Sequence, residues 1–464
     1  MEKTVCELFA GVGGFRCGLN HIDKSIKYST ESNNREEWKT VWYNQWEPAE
    51  KTTQYAYDCY KYHFGTCLDV KGNDTTNVNI EEVDKTLIPD FNLLVGGFPC
   101  QDYSVASTLA TSKGLEGRKG ILWWSIREVL EEKKPPFVLL ENVDRLIKSP
   151  ASQRGRDFGI ILACFRDEGY TVEWRVINAA EYGYQQRRRR IFIFAYKNCT
   201  KYHKKITQDI DYNNKEDYMH RKGMTKQITE EGFFAKTFPV NLIDADKLKI
   251  TVLPVGIGDL SANFEFDFEN TGVMRDGVVY TAKTTSSFDG EQITLGDIMD
   301  VGSVDDSYFI PEKKLYYTNP DVTHSDESFG KLPKEKRQTW QYLKGAKKLP
   351  RKAKNGHEYI FSEGAIPMID AYDKPARTML TSEGSFSRTT HIVKDKKTGR
   401  IRLLTAEETE RIQGFPTGHT KYCDVNGEVV EMPTNKRRFM MGNALVVDLI
   451  KQMDKQLSDI LNDE

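Results

Sequence analysis

The chain has 464 residues, 66 Lys+Arg against 68 Asp+Glu and a formal charge of −2, which excludes a histone-like polybasic protein but not a nucleic-acid enzyme with segregated charge. Apolar residues at 39% and charged residues at 29% support ordinary cores, in two to three domains at roughly 150 residues each. Eight cysteines without a CxxC pair argue against a disulfide scaffold or a zinc ribbon, and no metal ligand set is expected.

The N-terminal residues lack a signal-like apolar region, because Glu7 breaks the run that starts at Val5. No stretch approaches the roughly 18 apolar residues of a membrane helix. A soluble, cytoplasmic protein is expected.

In residues 1–198, short apolar runs alternate with helical patterns. Val5–Ala10, Leu93–Gly96, Phe137–Glu141 and Ile191–Tyr196 predict buried strands. The spacing of Ile121, Leu122, Trp124, Ile126, Val129 and Leu130 predicts a helix that stops at Pro135-Pro136. Such alternation predicts an α/β fold with a doubly wound, mostly parallel sheet.

Several segments carry chemistry. Phe9-Ala10-Gly11-Val12-Gly13-Gly14 joins a strand to a helix, where glycines let a ligand approach the backbone; a ligand-free turn or a nicotinamide site fits this loop equally well. Gln45-Trp46-Glu47 closes the second strand, a position that can bond ribose hydroxyls. Asp69, after a third short strand, is an acceptor for an adenine amino group or a plain helix cap. Gly97-Phe98-Pro99-Cys100-Gln101 presents a thiol at the carboxyl edge of the sheet, where α/β folds bind ligands; a thiol of pKa about 8.5 needs help to act as a nucleophile there. Glu141 ends an apolar strand, and apolar surroundings raise a carboxyl pKa so that it can hold and deliver a proton. In Gln186-Arg187-Arg188-Arg189-Arg190, period-2 alternation puts Arg188 and Arg190 on one side and Arg187 and Arg189 on the other.

Residues 199–417 differ in texture. Residues 256–306 hold eleven acidic and two basic residues, whereas residues 331–354 hold ten basic and one acidic, with Trp340 and Tyr342 interleaved. The amphipathic pattern of Leu445, Val446, Leu449, Ile450 and Met453 then returns to the early texture, which suggests one domain interrupted by an inserted second one.

In this order, Phe9–Gly14, Gly97–Gln101, Glu141-Asn142-Val143, Gln186-x-Arg188-x-Arg190, Pro375-Ala376-Arg377-Thr378, Arg411–Pro416 and Gly442-Asn443-Ala444 resemble the DNA (cytosine-5) methyltransferase family of bacterial restriction-modification type. The resemblance covers about residues 4–197 and 370–450. It implies an AdoMet-binding catalytic domain begun by residues 1–198, a target-recognition domain at 199–417, and a segment at 418–464 that completes the catalytic domain with Asn443 beside the N-terminal loop.

The resemblance further implies methyl transfer from S-adenosyl-L-methionine to C5 of a flipped-out cytosine in a short duplex DNA site. Cys100 then forms a covalent bond to C6, Glu141 holds and protonates N3, and Arg188 and Arg190 contact the base and a phosphate. The implied cofactor site is Phe9, Gly11, Gly13, Gly14, Gln45, Trp46, Glu47, Asp69, Leu122 and Asn443, with the ribose on Gln45 or Glu47. DNA contacts fall to Gln101, Ser104, Gln186, Arg377 and Thr378, and a loop from Gln101 to about Gly120 forms a lid. Double-stranded DNA is the implied partner, with a cognate restriction endonuclease in functional association and the enzyme a monomer. RNA as the substrate is the runner-up. An inactive regulator would not need Cys100, Glu141, Arg188 and Arg190 together, and a dehydrogenase leaves Cys100 and the arginines unexplained.

Overall fold

A computed structural model describes residues 1–23, 37–48, 53–98, 122–208, 218–244, 248–316, 339–352 and 356–464. The predicted apolar runs form strands: β1 (Thr4–Leu8), β2 (Lys39–Asn44), β3 (Leu93–Gly97), β4 (Phe137–Val143), β5 (Tyr170–Asn178) and β6 (Arg189–Lys197). Between them lie α1 (Gly14–Leu19), α2 (Tyr55–Phe64), α3 (Leu122–Lys133) and α4 (Arg156–Asp167).

These strands belong to one nine-stranded sheet of order β2-β1-β3-β4-β6-β5-β9-β10-β8, where β8 is Lys249–Val252, β9 Thr271–Arg275 and β10 Val278–Ala282. A separate pair joins β7 (Val240–Leu242) to β11 (Thr284–Ser286). The strands β2, β1, β3 and β4 pair in parallel, as expected of a doubly wound sheet. From β6 onward every pairing is antiparallel, so the sheet is mixed and its parallel half carries the glycine loop and Glu141.

The strands are apolar on both faces because both faces are covered. Val5, Val95, Leu139 and Phe194 pack on one side with α1, α2 and the C-terminal residues Leu445–Leu461. Cys6, Leu94, Leu140 and Ile193 pack on the other with Trp123, Ile126 and Val129 of α3 and Phe158–Phe165 of α4. Two further helices, α5 (Thr434–Asn443) and α6 (Val447–Asp463), close the chain. A Cβ on Gly18 of α1 would lie 2.4 Å from the Ile450 Cβ, so α1 and α6 touch backbone to side chain. Met1 donates its N-terminal ammonium to the Leu461 carbonyl at 2.8 Å, and Trp38 donates Nε1–H to Asp454 at 2.5 Å. The C-terminal segment thus packs into the N-terminal unit.

The expected division at 198/199 is corrected by the sheet itself. Residues 249–282 lengthen it, and Leu253, Leu260, Phe264 and Phe268 enter the core beneath α4. A small separate core forms later, around Leu315, Trp340 and Ile392. No helix among the described residues is long and apolar enough to cross a membrane.

Candidate active site

The cofactor loop leaves β1 at Phe9, whose φ of 54° is left-handed, and turns again at Gly11 (φ 56°) and Gly13 (φ 88°). A side chain at Gly13 would meet Phe64 Cε2 at 2.7 Å, whereas a Cβ on Gly11 would meet nothing within 4 Å. Gly13 is therefore packed, and Gly11 borders open space. Gly11 donates its N–H to Gln45 Oε1 at 2.7 Å, tying the loop to the end of β2. Trp46 stands 40% exposed beside it, and the Gln54 amide brackets Glu47 by bonding its N–H (2.8 Å) and its carbonyl (2.9 Å). Gly14 lies against Leu445, which brings the segment after Gly442-Asn443 to the loop. Leu122 starts α3, half-buried against the core.

Two supports of this loop were not read as site residues. Glu7, buried at the end of β1, accepts from the Tyr60 hydroxyl at 3.0 Å. Burial pushes its carboxyl up to about 7, against the Tyr60 hydroxyl, the Arg16 charge and the Phe15 and Arg16 N–H groups. Its Oε1 has no hydrogen-bond partner among the described residues. The legible signal was a carboxylate inside an apolar strand. The second support is His419, which donates Nε2–H to the Val12 carbonyl at 2.7 Å. It stacks on His63 at 4.1 Å and accepts His63 Nε2–H at its own carbonyl, at 2.6 Å. Burial and the neighbouring His63 hold the His419 imidazole well below its ordinary pKa, hence neutral. Cys59, His63 and His419 gather within 4.8 Å of one another. Both ring nitrogens in these bonds carry protons to carbonyls, so the group is a hydrogen-bonded clamp on the loop.

Asp69 departs from expectation. It lies in a turn, not after a strand, and its Oδ1 accepts from the N–H of Lys71 (2.8 Å) and Asn73 (2.9 Å). The backbone N–H of Asn73, foremost, holds its carboxyl below the usual range. The chain beside the end of β2 is instead residues 74–78: Gln45 donates its N–H to the Thr76 carbonyl at 3.0 Å, and the Asn44 amide reaches the Val78 carbonyl at 2.8 Å. Asp74, unread in the sequence, bonds Thr76 N–H and the Tyr57 hydroxyl there.

At the other edge of β3, Gly97 pairs with Glu141 of β4. A Cβ on Gly97 would sit 3.2 Å from Glu141 Oε2, so the missing side chain makes room for the carboxyl. The Asn142 amide holds the Phe98 carbonyl at 3.0 Å. Arg190 Nε meets Glu141 Oε1 at 2.8 Å. Burial raises the Glu141 pKa, opposed by Arg190 and Arg188. Cys100, Gln101 and Ser104, with the expected lid, lie outside the described residues.

The arginine alternation holds: Arg188 is buried and Arg190 half-buried, while Arg187 and Arg189 are exposed. The contacts expected of three neighbours need correction. Arg188 donates to the carbonyls of Met379 (2.9 Å), Gly442 (3.0 Å) and Asn443 (3.4 Å), and so holds two returning segments together inside the protein. Gln186 is fully buried; it donates to the Ile412 carbonyl and accepts from Met379 N–H. Arg377 is paired with Asp370 and bonds the Thr389 and Thr390 carbonyls. Gln186 and Arg377 thus spend their polar ends on contacts inside the protein. Thr378 is half-buried and donates its hydroxyl to the Arg187 carbonyl at 2.5 Å. Their partners lie some 190 to 250 residues away or inside the recognition region, beyond the reach of local spacing.

The profile of the C-5 cytosine-specific DNA methylase family matches residues 3–251 and 262–459. The chain belongs to that family. It is a DNA cytosine-5 methyltransferase, with DNA as its substrate. Type II methyltransferase M.Sau3AI of Staphylococcus aureus is 40% identical over 464 residues, 99% of this chain and 97% of that protein. Type II methyltransferase M.HhaI of Haemophilus parahaemolyticus is 31% identical over 192 residues, 41% of this chain and 48% of its own. The solved structure of the S. pombe Dnmt2 methyltransferase shares the fold, with a TM-score of 0.52 at 14% identity over 99% of both chains.

Proposed function

We propose that this methyltransferase modifies cytosine C5 at a specific site in duplex DNA through a covalent Cys100–C6 bond. The observation that carries the reading is the register of Gly97 with Glu141. It sets a proton-holding carboxyl at the mouth of the strand that continues, through Phe98 and Pro99, to Cys100 in the sequence. The other seven cysteines offer little competition: five are buried, Cys67 is half-buried, and Cys199 alone is exposed, at the end of β6 remote in sequence from the loops of the site.

AdoMet, when bound, supplies an electrophilic methyl group on a sulfonium. The residues present fit it: Gly11 borders open space, Trp46 offers an exposed ring, and Glu7 keeps an unpartnered buried oxygen below the loop. Gln45 is engaged with Gly11, so Glu47 takes the ribose hydroxyls.

The thiolate of Cys100 adds to C6 while Glu141 delivers its proton to N3, which avoids charge on the ring and makes C5 nucleophilic. Arg190 fixes the Glu141 carboxyl and faces the base O2. After methylation, water removes the C5 proton, Cys100 departs from C6 as the thiolate, and N3 returns its proton to the Glu141 carboxylate. Arg188 acts by positioning, through the segments it joins. The cytosine leaves the helix stack, at a cost of a few kcal/mol offset by pocket contacts.

The names of the type II relatives support a restriction-modification setting, and we propose that the enzyme acts there as a cytoplasmic monomer. The family description favours DNA over the RNA alternative. Bisulfite sequencing of DNA from cells expressing the chain tests the reading: protected cytosines in one short sequence support it, and unmodified DNA contradicts it.

A further inference from the structure

The last helix, α6, frames a cavity of about 370 Å³ together with the helices Lys201–Thr207 and Phe233–Thr237. Gln456, Asp459, Ile460 and Asp463 recur at i, i+3, i+4 and i+7 on α6, and so face the cavity as one stripe. The volume is at the small end of the range for ligand sites.

The frame is fixed at both ends. Gln452 of α6 donates to the Thr237 carbonyl at 2.7 Å and accepts from the Tyr184 hydroxyl at 2.8 Å. About three turns on, Lys201 donates to the Asp463 and Glu464 carbonyls at 2.8 and 3.0 Å. Tyr202 adds its N–H to Glu464 Oε1 at 2.8 Å. Anchored at both ends, the walls hold the space between them open, so the cavity is pre-formed. Its floor is apolar, made by Ile206, Ile460 and the Tyr202 ring, whose hydroxyl is engaged by Glu173 Oε1 at 3.4 Å.

Charge selects the occupant. Lys205 is spent on Asp463 at 3.0 Å, and Glu231 on Lys226. Lys236 and Asp459, both exposed at the cavity, form no ion pair with any described residue. The cavity therefore offers one unpaired cation and one unpaired anion over an apolar floor. Glu231, Asp459 and Asp463 outweigh Lys205 and Lys236 in its lining, which disfavours a phosphorylated occupant. A simple carboxylic acid would leave Asp459 unanswered, and a simple amine would leave Lys236 so.

We propose that this cavity binds a free α-amino acid with an apolar side chain. The carboxylate of the ligand meets Lys236, its ammonium meets Asp459 and the Gln456 amide, and its side chain lies on Ile206 and Ile460. The site is separate from the cofactor loop. Ile450 of α6 meets Gly18 of α1 behind that loop, and Ile460 follows about 15 Å further along the helix axis.

The test uses the full-length enzyme with saturating AdoMet, which keeps the cofactor pocket occupied. L-leucine, L-valine and L-methionine are titrated by calorimetry and by saturation-transfer NMR. At least one should bind saturably, one to one, in the millimolar range or tighter, and raise the melting temperature. The N-acetyl and methyl-ester forms of that amino acid each lack one charge and should bind about tenfold more weakly or worse. Lys236→Gln and Asp459→Asn should each weaken binding of the amino acid about tenfold. Methyl transfer and the melting temperature without amino acid should hold in both variants, since these side chains are exposed. No saturable binding of any of the three amino acids would overturn the proposal. So would equal binding of the blocked forms, or affinity unchanged in both variants. The readout is amino-acid binding, so it stands or falls independently of the DNA reaction.

Discussion

Arg190 and Glu141 face each other across the antiparallel strands β6 and β4, Nε to Oε1 at 2.8 Å. Two influences meet on that carboxyl. Burial favours the protonated form, and the guanidinium favours the ionised one; burial is the larger, so the pKa is raised. The pair can thus keep an acid that is oriented and still able to give up its proton.

Glu141→Gln keeps the shape and loses the proton. It should lower kcat at least ~100-fold while AdoMet binding is kept. Arg190→Ala removes an influence that lowers the Glu141 pKa, so the acid stays protonated to higher pH. The alkaline limb of the kcat profile should move up in pH, together with an overall loss of rate. An alkaline limb unmoved in Arg190→Ala would contradict the pairing.

Arg188→Ala leaves the Met379, Gly442 and Asn443 carbonyls without their buried donor. A loss of about 3 kcal/mol in chemical denaturation is expected. Arg188→Lys should recover only part, because one ammonium cannot reproduce the planar fork. A variant as stable as the parent, but inactive, would return Arg188 to direct contact with the base.

Glu7 makes stability depend on pH. Its pKa rises from 4.5 to about 7 on folding, so the folded state binds more protons between those values. Its contribution is complete below about pH 4.5 and is lost as pH rises through about 7, on the order of 3 kcal/mol in all. Glu7→Gln should flatten the fall in melting temperature across that window. It should also reduce any weakening of AdoMet binding there, since Glu7 lies under the loop. Identical pH profiles for the two proteins would refute this.

Gly13→Ala sets a methyl group against Phe64 at 2.7 Å and strains a φ of 88°. We expect it to raise the KM for AdoMet tenfold or more with a smaller effect on kcat, read from initial rates. Gly11→Ala meets no neighbour within 4 Å but strains a φ of 56°, so calorimetry should find a loss of AdoMet binding larger than the about 1 kcal/mol that the backbone strain takes from stability.

The legible parts of the fold were those that local pattern encodes. β1, β3, β4 and β6 show as apolar runs because both sheet faces are covered, and the alternation of Arg187 to Arg190 follows from strand geometry alone. β9 and β10 were hidden because they sit in an acidic, glycine- and threonine-rich stretch, and β8 just before it is only four residues long; the packing of Leu253, Met274 and Val279 beneath the sheet identifies the region as core. Asp69 misled because a carboxylate after an apolar residue looks the same whether it serves a ligand or, as here, its own turn. Gln186, Arg188 and Arg377 carry the right residue types at the right positions, but their partners are carbonyls and a carboxylate set by tertiary packing, which one sequence does not display. Glu7 and His419 support the loop from buried positions, and only coordinates reveal what they hold.

The central claim is a bond between one sulfur and one ring carbon. Incubating the enzyme and AdoMet with duplex DNA carrying 5-fluorocytosine at the target should stop turnover after methyl transfer, because C5 then has no proton to lose. Peptide mass spectrometry should find the methylated fluoropyrimidine attached to Cys100, and Cys100→Ala should form no adduct while still binding AdoMet. Continued transfer by Cys100→Ala, or an adduct on any other cysteine, would contradict the account.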